Sequence, residues 1–420
     1  MVNQSKVQGR ISGQGMTKIK MGLKTQIEEL AIFGSHPAFN EKLHVNAPNI
    51  GNRSRFLEKI NDILDRKWLT NNGPYVQELE GAIARRLKVG HCIAVCNATI
   101  GLEIAIRALG LRGEVIVPAF TFIATAHALE WLGIKPVFCD VDPVSHNLNP
   151  DKIEELLTPR TTGILGVHLW GRACAVDELT DLARRRNLKL LFDAAHAFDC
   201  SYRGRMIGNF GSAEVFSFHA TKYFNTLEGG AVVTNDTQLA EKIRLMKNFG
   251  FSGNVLSLGT NAKMNEISAA MGLTGLEMID EFKAANQRNY KLYKKELQGI
   301  PGVCLIDYDA TQQCNYQYIV LELDDRLTRV SRDRIMDILW AENVMARRYF
   351  YPPCHQVEPY CSRSEVVHLP VLERLSTRVL VLPNGTAIGQ AEIEKICQLL
   401  RLVINNGQEI TRKINELVKK

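Results

Sequence analysis

The sequence contains no CxxC pair, no apolar run of membrane-spanning length and no dense basic tract. Its ten cysteines are scattered singly. The closest two, Cys92 and Cys96, have no second pair to complete a zinc site, so neither a metal module nor a disulfide-stapled fold is expected. Cys139 and Cys304 follow Phe138 and Val303 in apolar runs, where a free thiol acts as a small hydrophobe. A reducing, cytoplasmic compartment is the expectation. Lys6, Arg10, Lys18, Lys20 and Lys24 precede the first acid, Glu28, without the apolar core of a secretory signal. No membrane partner is expected. Aromatic residues amount to 7% and do not interleave with basic clusters, and the net charge is only +6. That balance argues against nucleic acid and suits a small anionic substrate.

What is present is ordinary globular material: 420 residues, 45% hydrophobic and 23% charged. This length suits two unequal domains rather than one core. Residues 1–49 read as an N-terminal extension, disordered or loosely docked. From residue 50 to 275, short apolar strands alternate with helical stretches, the signature of an α/β domain with a mostly parallel sheet. Strands are expected over residues 92–96, 115–117, 137–139, 163–168, 188–192, 215–218 and 231–234. Several are continuously apolar, as strands covered on both faces should be. One long helix is expected over 276–297, opening a smaller α+β domain that runs to residue 420. Within it, 318–323 reads as a strand, 331–342 as a helix capped by Ser331, and 393–402 as a helix stopped at Asn405, Asn406 and Gly407.

Four strand ends carry candidate chemistry, and ligands of parallel sheets gather at such ends. Residues 215–234 read VFSFHATKYFNTLEGGAVVT, placing Lys222 just past a buried strand and among aromatics. Desolvation there lowers a lysine's pKa and yields the neutral amine that Schiff-base chemistry needs. A snorkelling surface lysine is the plain alternative. Asp193 ends the strand over 188–192 and is followed by Ala194, Ala195 and His196. A carboxylate there suits a protonated pyridine nitrogen, a recurring feature of pyridoxal-phosphate (PLP) sites, although an N-cap aspartate has the same spacing. Asn97, Ala98 and Thr99 stand between strand and helix, where backbone N–H groups cradle phosphate or simply begin a helix. Neither the P-loop nor the dinucleotide glycine pattern is present. Phe122, after the strand over 115–117, is placed to stack on a flat ring or to fill core.

At these residues the sequence resembles the DegT/DnrJ/StrS sugar aminotransferase family of fold-type-I PLP enzymes. WLTNNGP at 68–74, EVIVPAFTFIATAHAL at 114–129, PVFCDVD at 136–142 and GVHLWG at 166–171 match its blocks in order. FDAAHAF at 192–198, SFHATKYFNTLEGG at 217–230 and GTNAKMNEISAAMG at 259–272 continue the match, which covers about residues 50–405. The resemblance implies that Lys222 forms the Schiff base with PLP and that Asp193 pairs with the pyridine nitrogen. It places His196 beside the ring hydroxyl, Phe122 on the ring face, and Ala98, Thr99 and Ser217 at the phosphate. Ala98 stands where the family often has glycine, a change that a backbone contact tolerates. Asn261 matches a residue that reaches into a neighbouring subunit, so a homodimer with shared sites is expected.

The implied reaction passes an amine from an amino acid, by resemblance L-glutamate, through PLP to a keto-sugar linked to a nucleotide. Thr70, His219, Arg348, Tyr351 and His355 are the candidate substrate contacts. The last three lie in RRYFYPPCHQVEPY at 347–360, which resembles members acting on nucleotide-linked keto-deoxysugars; packing of the small domain is the alternative for its tyrosines. A dehydratase of the same fold would carry histidine at position 222. A non-catalytic PLP-fold regulator would more naturally lack Lys222 or Asp193, and both are present.

Overall fold

A computed structural model describes residues 23–362 and 367–418. Lys6, Arg10, Lys18 and Lys20 of the basic N-terminus lie outside the described residues.

Seven strands build the main sheet: β1 (His91–Val95), β2 (Glu114–Pro118), β3 (Lys135–Cys139), β4 (Thr161–Val167), β5 (Lys189–Asp193), β6 (Ala213–Ser217) and β7 (Gly230–Thr234). Their spatial order is β1-β7-β6-β5-β4-β2-β3. All neighbours are parallel except β7, which runs antiparallel to both β1 and β6. Each expected strand is therefore present, with no end shifted by more than two residues. β2 and β7 are buried along their whole length, which explains their unbroken apolar character. Helices such as Ala98–Ala108 and Val176–Arg186 cover the faces. The order places the C-terminal ends of β1, β2, β5 and β6 along one edge of the sheet, with β7 and β4 interleaved.

The C-terminal part holds a three-stranded antiparallel sheet of β8 (Val303–Leu305), β9 (Ile319–Leu323) and β10 (Val379–Leu382), in that order. Helices Ile279–Glu296, Arg332–Ala341 and Gln390–Asn405 contribute to its core. Ser331 caps the second of these, accepting the Arg334 N–H at 3.3 Å. The helix expected over 276–297 is Ile279–Glu296, and one that was not expected, Glu266–Glu277, precedes it across a break at Met278. The unexpected helix is buried from Ser268 through Gly275, so no amphipathic stripe marked its start. Asn405, Asn406 and Gly407 do end a helix, but another, Gly407–Val418, follows directly.

Residues 23–49 are docked rather than loose. Ile27, Leu30 and Ala38 are buried in the C-terminal core, and Leu43–His44 pairs in parallel with Val344–Met345. Fully buried Glu342 fastens this segment, accepting from Lys24 Nζ at 2.7 Å, Ala31 N at 2.7 Å and Ala38 N at 2.6 Å. The segment's short 3₁₀ turns carry no 3.6-residue period, and the anchoring carboxylate is more than 300 residues away. Among the described residues, no helix is long and apolar enough to cross a membrane.

Candidate active site

The ends of β1, β2, β5 and β6 enclose a cavity of about 420 Å³. Lys222, Asp193, His196, Ala98, Thr99, Phe122, Ser217 and His219 all line it. Sequence positions scattered over more than a hundred residues are thus gathered by the sheet order.

One end of the cavity is an anion cradle. Asn97 caps the helix Ala98–Ala108 by accepting the Ile100 N–H at 2.9 Å, so the helix starts at the cavity wall with Ala98 and Thr99 in its first turn. Ser217, the last residue of β6, adds a hydroxyl. Gly230 lies opposite, and a Cβ there would sit 2.9 Å from Ala98 N and 2.7 Å from Phe216 O. Glycine at this point keeps the cradle open.

The other end pairs an amine with a carboxylate. Burial brings the Lys222 ammonium down to about 8, partly offset by the negative charge of Asp193. Burial raises the Asp193 carboxyl, while the Ala195 N–H, the Thr125 hydroxyl and the charge of Lys222 hold it back. Asp193 Oδ1 accepts from Ala195 N at 3.0 Å and Oδ2 from Thr125 Oγ1 at 2.8 Å. Thr125 in turn bonds Thr121 at 2.9 Å. His196 is held neutral by burial and by the nearby Lys222 charge. Its Nδ1 accepts the Trp170 N–H at 3.3 Å, which leaves the ring's proton on Nε2. Trp170 and Tyr318 pack against the same imidazole, with ring centroids at 6.0 and 4.5 Å. Phe122 is 60% exposed at the rim, tilted toward Phe350 at 6.4 Å.

Residues 51–401 match the model of the DegT/DnrJ/EryC1/StrS aminotransferase family. The chain belongs to that family. This aminotransferase is 48% identical to a solved structure of DesI in the presence of its TDP-sugar product, with a TM-score of 0.90 over 92% of this chain and 99% of that one. It is 37% identical to dTDP-4-amino-4,6-dideoxy-D-glucose transaminase of Shigella dysenteriae, over 86% of this chain and 98% of the relative. GDP-perosamine synthase of Caulobacter vibrioides is 34% identical over 86% of this chain and 98% of its own length. The fold-type-I architecture expected from the sequence is the one observed.

The aminotransferases of this family use PLP, and the cavity's donor set fits that molecule end to end. A helix start with two hydroxyl residues suits the phosphate, a desolvated amine suits the aldehyde, and a buried carboxylate suits the pyridinium nitrogen.

Five expected residues are not brought to this cavity. Arg348 turns away to Asp333 at 3.2 Å, and Tyr351 is sandwiched between the Arg348 and Arg332 guanidinium groups at 5.0 and 5.1 Å. Arg347, Tyr349 and Phe350 line the wall instead. Arg347 bridges Val381 in extended conformation, and in such backbone successive side chains point to opposite sides. Correct motif, wrong parity. His355 is buried beside a separate cavity with Phe138, Tyr360 and Glu373, its Nε2 3.6 Å from Glu373. Thr70 is exposed in the loop before the helix Pro74–Leu87. Asn261 is exposed and forms a bridge with Asn248.

Conversely, Thr125, Tyr318, Arg347 and Asn46 reach the site without having been expected there. The threonines at 121 and 125, close together just past the strand Glu114–Pro118, are the one signal for Thr125 that was available in the sequence. Asn46 had no such signal.

Proposed function

We propose that this aminotransferase holds PLP on Lys222 and transfers an amino group from L-glutamate to a nucleoside-diphosphate-linked 4-keto-6-deoxyhexose. The observation that carries the reading is the pairing, in one cavity, of a desolvated lysine with a buried carboxylate opposite a helix-start anion cradle. The names of the relatives supply the substrate class, since they describe nucleotide-linked sugars, one with its amine at carbon 4.

When bound, PLP supplies an electron sink for the carbanion that forms at the donor's α-carbon. Lys222, its ammonium brought down to about 8 by burial, would supply the amine that takes the proton from that carbon. Asp193, fixed by Thr125 and Ala195, holds the pyridinium proton. His196 offers its Nε2 proton to the ring oxygen. Ala98, Thr99 and Ser217 hold the phosphate, and Phe122 covers the ring. Arg347 brings a guanidinium to the wall, suited to a carboxylate or diphosphate. His219, whose Nδ1 lies 2.8 Å from the Thr221 hydroxyl, stands at the rim for the substrate.

A homodimer with shared sites is part of this reading. Leu57, Leu64, Trp68 and Leu69 are exposed on one stretch, and Phe249, Phe251, Val255, Leu256 and Leu258 on another. So much exposed apolar surface favours association, and Asn261 lies just beyond the second stretch. Ten free thiols support a reducing, cytoplasmic setting.

The test is incubation of the PLP-loaded enzyme with L-glutamate and a panel of keto-sugar nucleotides, read by mass spectrometry. An amino-sugar nucleotide together with 2-oxoglutarate is the expected result. Formation of neither product from any member of the panel overturns the assignment.

A further inference from the structure

The docked N-terminal segment delivers one side chain to the active-site wall. Asn46 lines the cavity together with Lys222, Tyr318 and Arg347, and is only 8% exposed. Its φ of 58° is left-handed, a conformation in which asparagine is among the better-tolerated residues. The backbone that presents it is pinned on both sides. Leu43–His44 pairs with Val344–Met345, the strand that leads into Arg347. Three residues beyond Asn46, Asn49 donates to Tyr223 O at 2.9 Å and accepts from Thr386 Oγ1 at 2.7 Å, while Asn225 Nδ2 donates to Asn49 O at 2.8 Å. Asn46 is therefore tied to the loop that carries Lys222.

Asn46 and Tyr318 line the same wall of the cavity, and the Tyr318 ring lies 4.5 Å from His196. Asn46, Thr221 and Lys222 are shared with a small adjoining polar cavity that Asn286 also lines, so the amide stands in the partition between the two. A carboxamide both donates and accepts and carries no charge. It matches the hydroxyl or carbonyl groups of a neutral sugar ring, whereas the carboxylates of an amino acid and the phosphates of a nucleotide are matched by cations such as Arg347.

We propose that Asn46 is a sugar-recognition residue, whose buried carboxamide hydrogen-bonds the keto-sugar ring. This rests on the nucleotide-sugar reading above.

The experiment separates the two half-reactions in Asn46→Gly, which removes the amide while keeping the backbone conformation unstrained. Wild-type enzyme is measured first: if it completes the glutamate half-reaction but accepts no keto-sugar nucleotide, the substrate reading fails before Asn46 is judged. With an accepted sugar in hand, the expected result is a KM for it raised about tenfold, the loss of one substrate hydrogen bond in a dry site. The glutamate half-reaction, followed by the cofactor's absorbance, should keep its rate within about twofold, and the melting temperature should hold. A parallel slowing of both half-reactions, or a lower melting temperature that accounts for the loss, assigns Asn46 a merely structural part and overturns the proposal. So does an unchanged KM.

Discussion

Thr125 donates its hydroxyl to Asp193 Oδ2 across 2.8 Å while itself bonding Thr121, so the buried carboxylate is aimed by a residue in the first turn of the helix Ala124–Trp131 that follows β2. Thr125→Val keeps the shape and deletes the bond. Because that bond helps hold the Asp193 carboxyl down against burial, its loss lets the group rise further. The acid limb of the activity profile should move to higher pH, with roughly tenfold weaker PLP binding and with recovery in Thr125→Ser. A profile identical to wild type would show that Thr125 does not act through Asp193.

Lys222 provides the most direct check on the cofactor. Lys222→Ala should abolish borohydride-trappable PLP, and persistent trapping would clear Lys222 of the role.

The same amine sets a pH dependence. With its pKa lowered to about 8, the neutral form is scarce well below that pH and dominant above it. The rate at which PLP condenses with the apoenzyme should rise about tenfold per pH unit below 8 and level off above it. Asp193 opposes the lowering, so Asp193→Asn should move the inflection to lower pH. A rate that keeps climbing toward pH 10.5 would mean that the amine is solvated.

How much of this was legible in the sequence follows from the range of the forces involved. Strand ends announce themselves locally through apolar runs and the polar residues that close them, so Asp193, Lys222 and Ala98 were found before any coordinates. The sheet order that unites them depends on long-range packing and came only with the structure. Side-chain parity failed at Arg348, because which of two adjacent arginines faces inward depends on the Arg347–Val381 bridge. The helix Glu266–Glu277 had no amphipathic stripe to mark it. Asn46 reaches the site on a segment held by Glu342, Val344–Met345 and Tyr223, all far along the chain.

That anchor predicts a mutant. Glu342 is fully buried and accepts from one lysine and two backbone amides. In Glu342→Ala, those donors lose their acceptor and Lys24 is left as a largely buried unpaired cation, a loss of roughly 3–5 kcal/mol. The segment before residue 43 should become sensitive to limited proteolysis, and the KM for the sugar should rise because Asn46 is no longer held. Unchanged protease resistance would show that the apolar contacts of Ile27, Leu30 and Ala38 suffice.

Adjacent arginines give the sharpest contrast. Arg347 lines the cavity, whereas Arg348 is committed to Asp333 and the face of Tyr351. Removing a guanidinium that binds a substrate anion at the wall of the active-site cavity weakens binding or turnover by roughly tenfold or more. Removing one from a half-exposed surface pair costs little. Arg347→Ala should therefore cut kcat/KM at least tenfold at unchanged melting temperature, and Arg348→Ala should leave it within about twofold. Screening supports the same assignment from another direction: added salt should weaken substrate binding in wild type more steeply than in Arg347→Ala. Equal losses in the two variants would mean that the backbone at 347–348 presents both side chains to the substrate, contrary to the alternation that the Val381 bridge imposes.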